Sequence, residues 1–209
     1  MRVSLTDAGK RYNRDWIFRH LNFNFDKGIS YAITGPNGSG KSTLLQAISG
    51  AIGLNEGKMS YETGGDQTGN GILTENAFQY ISICAPYLEV VEEMTFREFM
   101  SFHQSFKPFI KGTGIDQMMA AVQLENAADK QIRFYSSGMK QRVKLAQALF
   151  SDTPILLLDE PCTNLDTAGI SLYHQLINDY CKERLVIVSS NDPEEYGFCH
   201  QQLKIQDWK

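Results

Sequence analysis

The sequence predicts an α/β domain: a parallel-sheet core, a small antiparallel β portion and an inserted helical subdomain. Three observations carry this. Two uninterrupted apolar runs, Ile155-Leu156-Leu157-Leu158 and Leu185-Val186-Ile187-Val188, have the character of strands buried on both faces of a sheet. The stretch between them, Ala168 to Cys181, is long enough for the crossover helix that parallel neighbours need. A helical, aromatic-rich block from Met94 to about Glu125 interrupts the alternation of strands and helices, as an insertion does.

The elements follow in order. Arg2-Val3-Ser4-Leu5-Thr6 and Leu21-Asn22-Phe23-Asn24-Phe25 alternate apolar and polar residues and read as half-buried strands. Asp26-Lys27-Gly28 is a turn. Ile29 to Thr34 is a strand that runs into a glycine-rich loop. From Ser42 to Ser49, Leu44, Leu45 and Ile48 recur at helical spacing. Residues 53–79 are rich in Gly, Asn, Asp and Thr, and Gly64 to Gly71 reads as an exposed loop between short strands. Tyr80 to Cys84 is a strand. The aromatic block breaks near Pro108 and Gly112-Thr113-Gly114. Met139 to Phe150 is a helix with Val143, Leu145, Ala146 and Leu149 on its apolar side.

Composition removes several classes of function. The 209 residues are 42% hydrophobic and 21% charged, ordinary for a globular chain of one large domain. Twenty basic against 24 acidic residues give a net charge of −4, the opposite of a general nucleic-acid coat. No run approaches the roughly 18–20 apolar residues of a membrane helix, and the N-terminus lacks the apolar core of a signal peptide. A cytoplasmic protein is expected, with any membrane part supplied by another chain. Cys84, Cys162, Cys181 and Cys199 have no metal-binding spacing among themselves or with histidine, and are expected as reduced thiols.

Gly35-Pro36-Asn37-Gly38-Ser39-Gly40-Lys41-Ser42 fits Gly-x-x-x-x-Gly-Lys-Ser/Thr without a mismatch, between a strand and a helix. Glycines let backbone N–H groups curl around phosphate oxygens, and the helix that follows adds its positive end. Lys41 can reach the β- and γ-phosphates, and the Ser42 hydroxyl can hold Mg²⁺. The segment Gly35–Thr43 is therefore the candidate phosphate site of a P-loop nucleotide binder. Downstream, the apolar strand Ile155–Leu158 ends in Asp159-Glu160, at the sheet edge where ligands bind. Asp159 is placed to hold Mg²⁺ through water. Glu160, pointing the other way, can polarise an attacking water.

Tyr135-Ser136-Ser137-Gly138-Met139-Lys140-Gln141-Arg142 lies shortly before that strand. With the two motifs above, in order and spacing over nearly the whole chain, it resembles the nucleotide-binding domain of the ATP-binding cassette (ABC) family. The resemblance implies a P-loop NTPase core of the RecA-like kind. It implies one nucleotide-binding domain over residues 1–209, with the helical subdomain inserted at about 88–138. It implies ATP and Mg²⁺ as ligands and a head-to-tail dimer that sandwiches two nucleotides. Ser136 and Gly138 fit the family's Leu-Ser-Gly-Gly-Gln signature, which caps the γ-phosphate held by the opposite subunit; Ser137 and Met139 depart from it. Ser-Ser-Gly before an amphipathic helix also suits a plain N-cap. Thr163-Asn164-Leu165-Asp166 matches the family's D-loop, with Asp166 in contact across the dimer. Tyr12 stands where the family stacks adenine on an aromatic, with Trp16 as competitor.

Two positions depart from the family. Asn191 stands where a histidine contacts the γ-phosphate, so catalysis by Lys41, Glu160 and Asn191 is expected to be slow: an amide donates N–H bonds but takes up no proton. Tyr87 stands at the Q-loop glutamine, and either Tyr87 or Glu89 is available to replace it. In the aromatic block, Phe96, Phe99, Met100 and His103 share one helical face, and Phe102, Phe106 and Phe109 another. They read either as a small core or as an exposed groove for a partner helix.

What the resemblance implies is the ATP-hydrolysing subunit of a transporter, peripheral on the inner face of a membrane. It would form a homodimer, or a heterodimer with a related ATPase, and drive a separate polytopic subunit. No nucleic-acid partner is expected. A soluble non-transport ATPase of the same family and a weakly hydrolysing ATP switch are the alternatives.

Overall fold

A computed structural model describes residues 1–62 and 72–209; the loop expected at Gly64–Gly71 lies outside the described residues. The chain packs as two compact units. Residues 1–83, 153–159 and 183–209 form the first, and residues 84–152 and 160–182 the second.

The first unit holds two sheets. Strands β1 (Arg2–Tyr12), β2 (Asp15–Asp26) and β4 (Glu56–Glu62) form an antiparallel sheet in the order β2-β1-β4. β3 (Ser30–Thr34), β5 (Ile81–Cys84), β6 (Ile155–Asp159), β7 (Leu185–Ser189) and β8 (Gln201–Lys204) form the second, ordered β5-β6-β7-β3-β8. The pairs β6–β7, β7–β3 and β3–β8 are parallel. Every residue of β3, β6 and β7 is buried, as continuous apolar runs require in a sheet covered on both faces.

β1 and β2 both run further than simple alternation allows. Register shifts between Leu5 and Ala8, Ala8 and Lys10, and Lys10 and Arg11 carry β1 through its polar stretch to Tyr12. Such bulges bend a strand without ending it. Asp7, Asn13 and His20 take positive φ at these irregularities and at the hairpin turn. Helix α1 (Lys41–Ile48) packs on β6 and β7 through the apolar residues read from the sequence; Leu44, Leu45 and Ile48 are fully buried. Phe25 and Tyr31 meet edge to face, with ring centroids 5.0 Å apart, in the same core.

The second unit is mostly helical. α2 (Phe96–Gln104) opens on a capping box: Thr95 Oγ1 accepts from Glu98 N–H, and the Glu98 carboxylate accepts from Thr95 N–H. α3 (Ile115–Ala121), α4 (Ser137–Phe150) and α5 (Thr167–Tyr180) follow. Phe96, Phe99 and Met100 are buried, so one predicted aromatic face is core. The other face divides. α2 ends at Gln104, and the chain beyond it turns Phe109 inward; Phe102 and Phe106 stay 47% and 70% exposed, their rings meeting edge to face.

A short α6 (Pro193–Tyr196), β8 and a closing 3₁₀ turn (Ile205–Trp208) complete the first unit. None of the four cysteines is in a disulfide. No described helix is long and apolar enough to cross a membrane.

Candidate nucleotide site

Between β3 and α1 the chain follows a path that the glycine pattern favours. Gly35, Gly38 and Gly40 have φ of 151°, 74° and 105°, conformations that side chains disfavour. A Cβ at Gly40 would stand 2.2 Å from Ile17 Cγ2, and one at Gly35 would stand 2.8 Å from Ser39 Oγ. The loop is closed by Ser39 N–H donating to Pro36 O at 3.1 Å. Lys41, nearly buried, donates from Nζ to Gly35 O at 2.8 Å and Pro36 O at 3.3 Å. Its ammonium is therefore held across the loop mouth rather than released to solvent. Ser42 and Thr43, half-buried, lie in the first turn of α1.

Asp159 ends β6 and pairs in register with Ser189, the last residue of β7. It is 1% exposed, and its Oδ1 has no hydrogen-bond partner among the described residues. Ser39 Oγ and Ser189 Oγ share that condition. β7 lies between β6 and β3, and the strands are parallel, so all three orphan oxygens belong to the carboxyl end of the sheet where the glycine loop begins. A buried carboxylate oxygen without a donor costs free energy that a cation offsets. The set of carboxylate and hydroxyl oxygens at this edge is of the hard kind that Mg²⁺ takes. The residues present fit a Mg-nucleotide.

Asn191 follows β7, and its Nδ2 donates to Asn37 Oδ1 in the glycine loop at 3.2 Å. The first unit thus brings together Gly35–Thr43, Asp159 and Asn191. Tyr12, at the end of β1, is 48% exposed with the Lys10 ammonium 5.2 Å from its ring centre. Trp16 is engaged elsewhere, packed on Gly9 with the Arg19 and Arg11 guanidinium groups 4.4 and 5.5 Å from its ring centre.

The second unit carries the other expected site residues. Glu160 adopts φ = 42°, a rare backbone for a residue with a Cβ. Its carbonyl accepts from Thr163 N–H at 3.2 Å and from Thr163 Oγ1 at 2.8 Å. The next carbonyl, Pro161 O, accepts from the buried Gln141 Nε2 at 2.6 Å. These hydrogen bonds hold the backbone at Glu160 in its rare conformation, and such backbone recurs at functional sites. Motif reading passed over this bond; the signal was a glutamine on the inward face of α4.

Ser136 caps α4, accepting from Met139 N–H at 3.2 Å. A Cβ on Gly138 would lie 3.0 Å from Asn164 O, so the signature and the D-loop touch within one chain. Asp166 caps α5, accepting from Gly169 N–H at 2.8 Å. Tyr87 and Glu89 are both exposed. No cluster of metal-ligating His, Cys, Asp and Glu exists among the described residues.

A parallel sheet with a phosphate-cradling loop at its carboxyl edge and an acidic strand end beside it defines a P-loop nucleotide-binding protein. The match can be narrowed. Residues 18–163 fit the family model described as ABC transporter, and the chain belongs to that family. It is an ABC-type ATPase subunit. It is similar to the cytochrome c biogenesis ATP-binding export protein CcmA of Mesorhizobium japonicum, 30% identical over 191 residues that cover 91% of each chain. An uncharacterized ABC transporter ATP-binding protein of Bacillus subtilis, YybJ, is 29% identical, covering 92% of this chain and 87% of the relative. In fold it resembles a Pyrococcus furiosus chain described as an ABC transporter ATP-binding protein. That likeness has a TM-score of 0.82 at 21% identity, over the full length of both chains.

Proposed function

We propose that residues 1–209 act as a single nucleotide-binding domain that hydrolyses Mg-ATP to drive a separate membrane-spanning subunit. The observation that carries the reading is Asp159: a buried carboxylate oxygen without a donor among the described residues, two strands away from the strand that feeds the glycine loop. The Gly35–Lys41 backbone takes the phosphates, and Lys41 Nζ exchanges the Gly35 and Pro36 carbonyls for phosphate oxygens. Ser42 and Asp159 would hold Mg²⁺, which when bound would neutralise charge on the nucleotide phosphates. Glu160 orients and polarises the attacking water, a contribution of roughly 10²–10⁴-fold. Asn191 offers an N–H to the γ-phosphate but takes no proton, which makes turnover slow. Tyr12, exposed where Trp16 is engaged, stacks the adenine.

In this reading a second copy, or a related ATPase, presents Ser136 and Gly138 to the γ-phosphate head to tail, with Asp166 in contact across the dimer. Closure on ATP and opening after hydrolysis are the mechanical output. The relatives' names support transport and export, and with them a peripheral place on the cytoplasmic face of a membrane. Two measurements test the reading. Purified protein should release phosphate from ATP only with Mg²⁺, and Glu160→Gln should stop it. Tagged Glu160→Gln protein with Mg-ATP should recover a polytopic membrane protein in stoichiometric amount from detergent extracts of source cells. Recovery of soluble proteins or nucleic acid alone would overturn the transport reading.

A further inference from the structure

The backbone around Asn191 is fixed on both sides. Ser190 N–H donates to Ile33 O on β3 at 3.2 Å, and Asp192 N–H donates to Ser190 Oγ at 2.9 Å. Asp192 in turn caps α6, accepting from Glu194 N–H at 3.0 Å. What these bonds leave undecided is which end of the Asn191 amide faces the glycine loop, because the terminal torsion of asparagine is broad and roughly two-fold. The choice matters for an anion. The nitrogen end carries two N–H donors, and the oxygen end repels phosphate.

Asn37 decides it. Its Oδ1 takes one N–H of Asn191 at 3.2 Å, which turns the nitrogen end toward the loop and leaves the second N–H for a ligand oxygen. We infer that the Asn37 side chain is a positioning residue for recognition of the terminal phosphate, acting through Asn191 and separate from the backbone cradle in which Asn37 also sits. The inference rests on the proposed ATP site. It adds a side-chain pair, 154 positions apart in sequence, that selects triphosphate over diphosphate.

The test is a double-mutant cycle read by calorimetry with two probes, ADP and the non-hydrolysable ATP analogue adenylyl imidodiphosphate. Asn37→Ala and Asn191→Ala should each lower the preference for the triphosphate about three- to tenfold, the scale of one neutral hydrogen bond. The double variant should lose no more than either single one. A merely structural role for Asn37 predicts instead that the losses multiply, and that result, or an unchanged preference in Asn37→Ala, overturns the inference. A wild-type chain that binds neither nucleotide overturns the ATP-site reading first and this inference with it. Turnover gives an independent readout: kcat should fall in Asn37→Ala but not further when Asn37→Ala is added to Asn191→Ala.

Discussion

Asn191 Nδ2 donates to Asn37 Oδ1 at 3.2 Å, so the turn after β7 reaches the phosphate loop through an amide pair that does not titrate. A rate that depends on this pair should be flat from about pH 6 to 7.5, where a histidine would change charge. Asn191→His should raise steady-state ATP turnover about tenfold or more and introduce a rise with an apparent pKa near 6.5. A variant no faster than wild type in steady-state phosphate release would show that this position does not limit the rate.

Glu160 stores strain. Its φ of 42° is held by Thr163 on its own carbonyl and by Gln141 on the next. Glycine adopts that backbone without a Cβ penalty. Glu160→Gly and Glu160→Gln should both stop turnover, but only the glycine variant should raise the melting temperature, by about 2–4 °C for roughly 1 kcal/mol. Equal melting curves for the two variants would mean that the conformation costs the fold nothing.

Much of this site was legible in the sequence because its parts are local. The glycine pattern Gly35–Lys41, the acidic end of β6 and the apolar runs of β6 and β7 each declare themselves within eight residues. What the sequence hid depends on tertiary packing. β8 has one buried position, Leu203, and exists because its backbone pairs with β3 at the sheet edge. The Asn37–Asn191 pair and the Gln141–Pro161 bond join residues that no local pattern links. Phe102, Phe106 and Phe109 share a face only in a continuous helix, whereas α2 stops at Gln104 and Phe109 turns inward.

Asp159 sets up an opposition between stability and binding. Its Oδ1 is buried without a donor among the described residues, so neutralising the side chain removes a desolvation cost from the nucleotide-free protein. Asp159→Asn should melt no lower than wild type without ligand. It should also lose the stabilisation that Mg-ATP gives wild type, about 2.7 kcal/mol at a concentration 100 times Kd. Thermal melts with and without Mg-ATP measure both. An Asp159→Asn variant that keeps the full Mg-ATP shift would show that this carboxylate does not hold the ion.

His103 should make the helical unit acid-sensitive. The Ser151 hydroxyl donates to Gln147 O at 2.7 Å, so toward His103 Nε2, 2.9 Å away, it can only accept. Nε2 therefore carries the ring proton. Nδ1 then accepts from Gln147 Nε2 at 3.1 Å, and the neutral ring is satisfied on both sides. A second proton would place an N–H on Nδ1 against another N–H. Burial, with the Lys107 charge adding to it, pushes the His103 pKa down to about 4. The sign follows from linkage. Below pH 6.5 the unfolded chain binds a proton that the folded chain refuses, so stability is full above 6.5 and is lost as pH falls toward 4. The His103 contribution to the urea midpoint should be level above pH 7 and fall between 6.5 and 4. His103→Gln, which cannot titrate, should be less stable at pH 7.5 but lose that part of the slope. An unchanged slope in His103→Gln would assign the acid sensitivity to other groups.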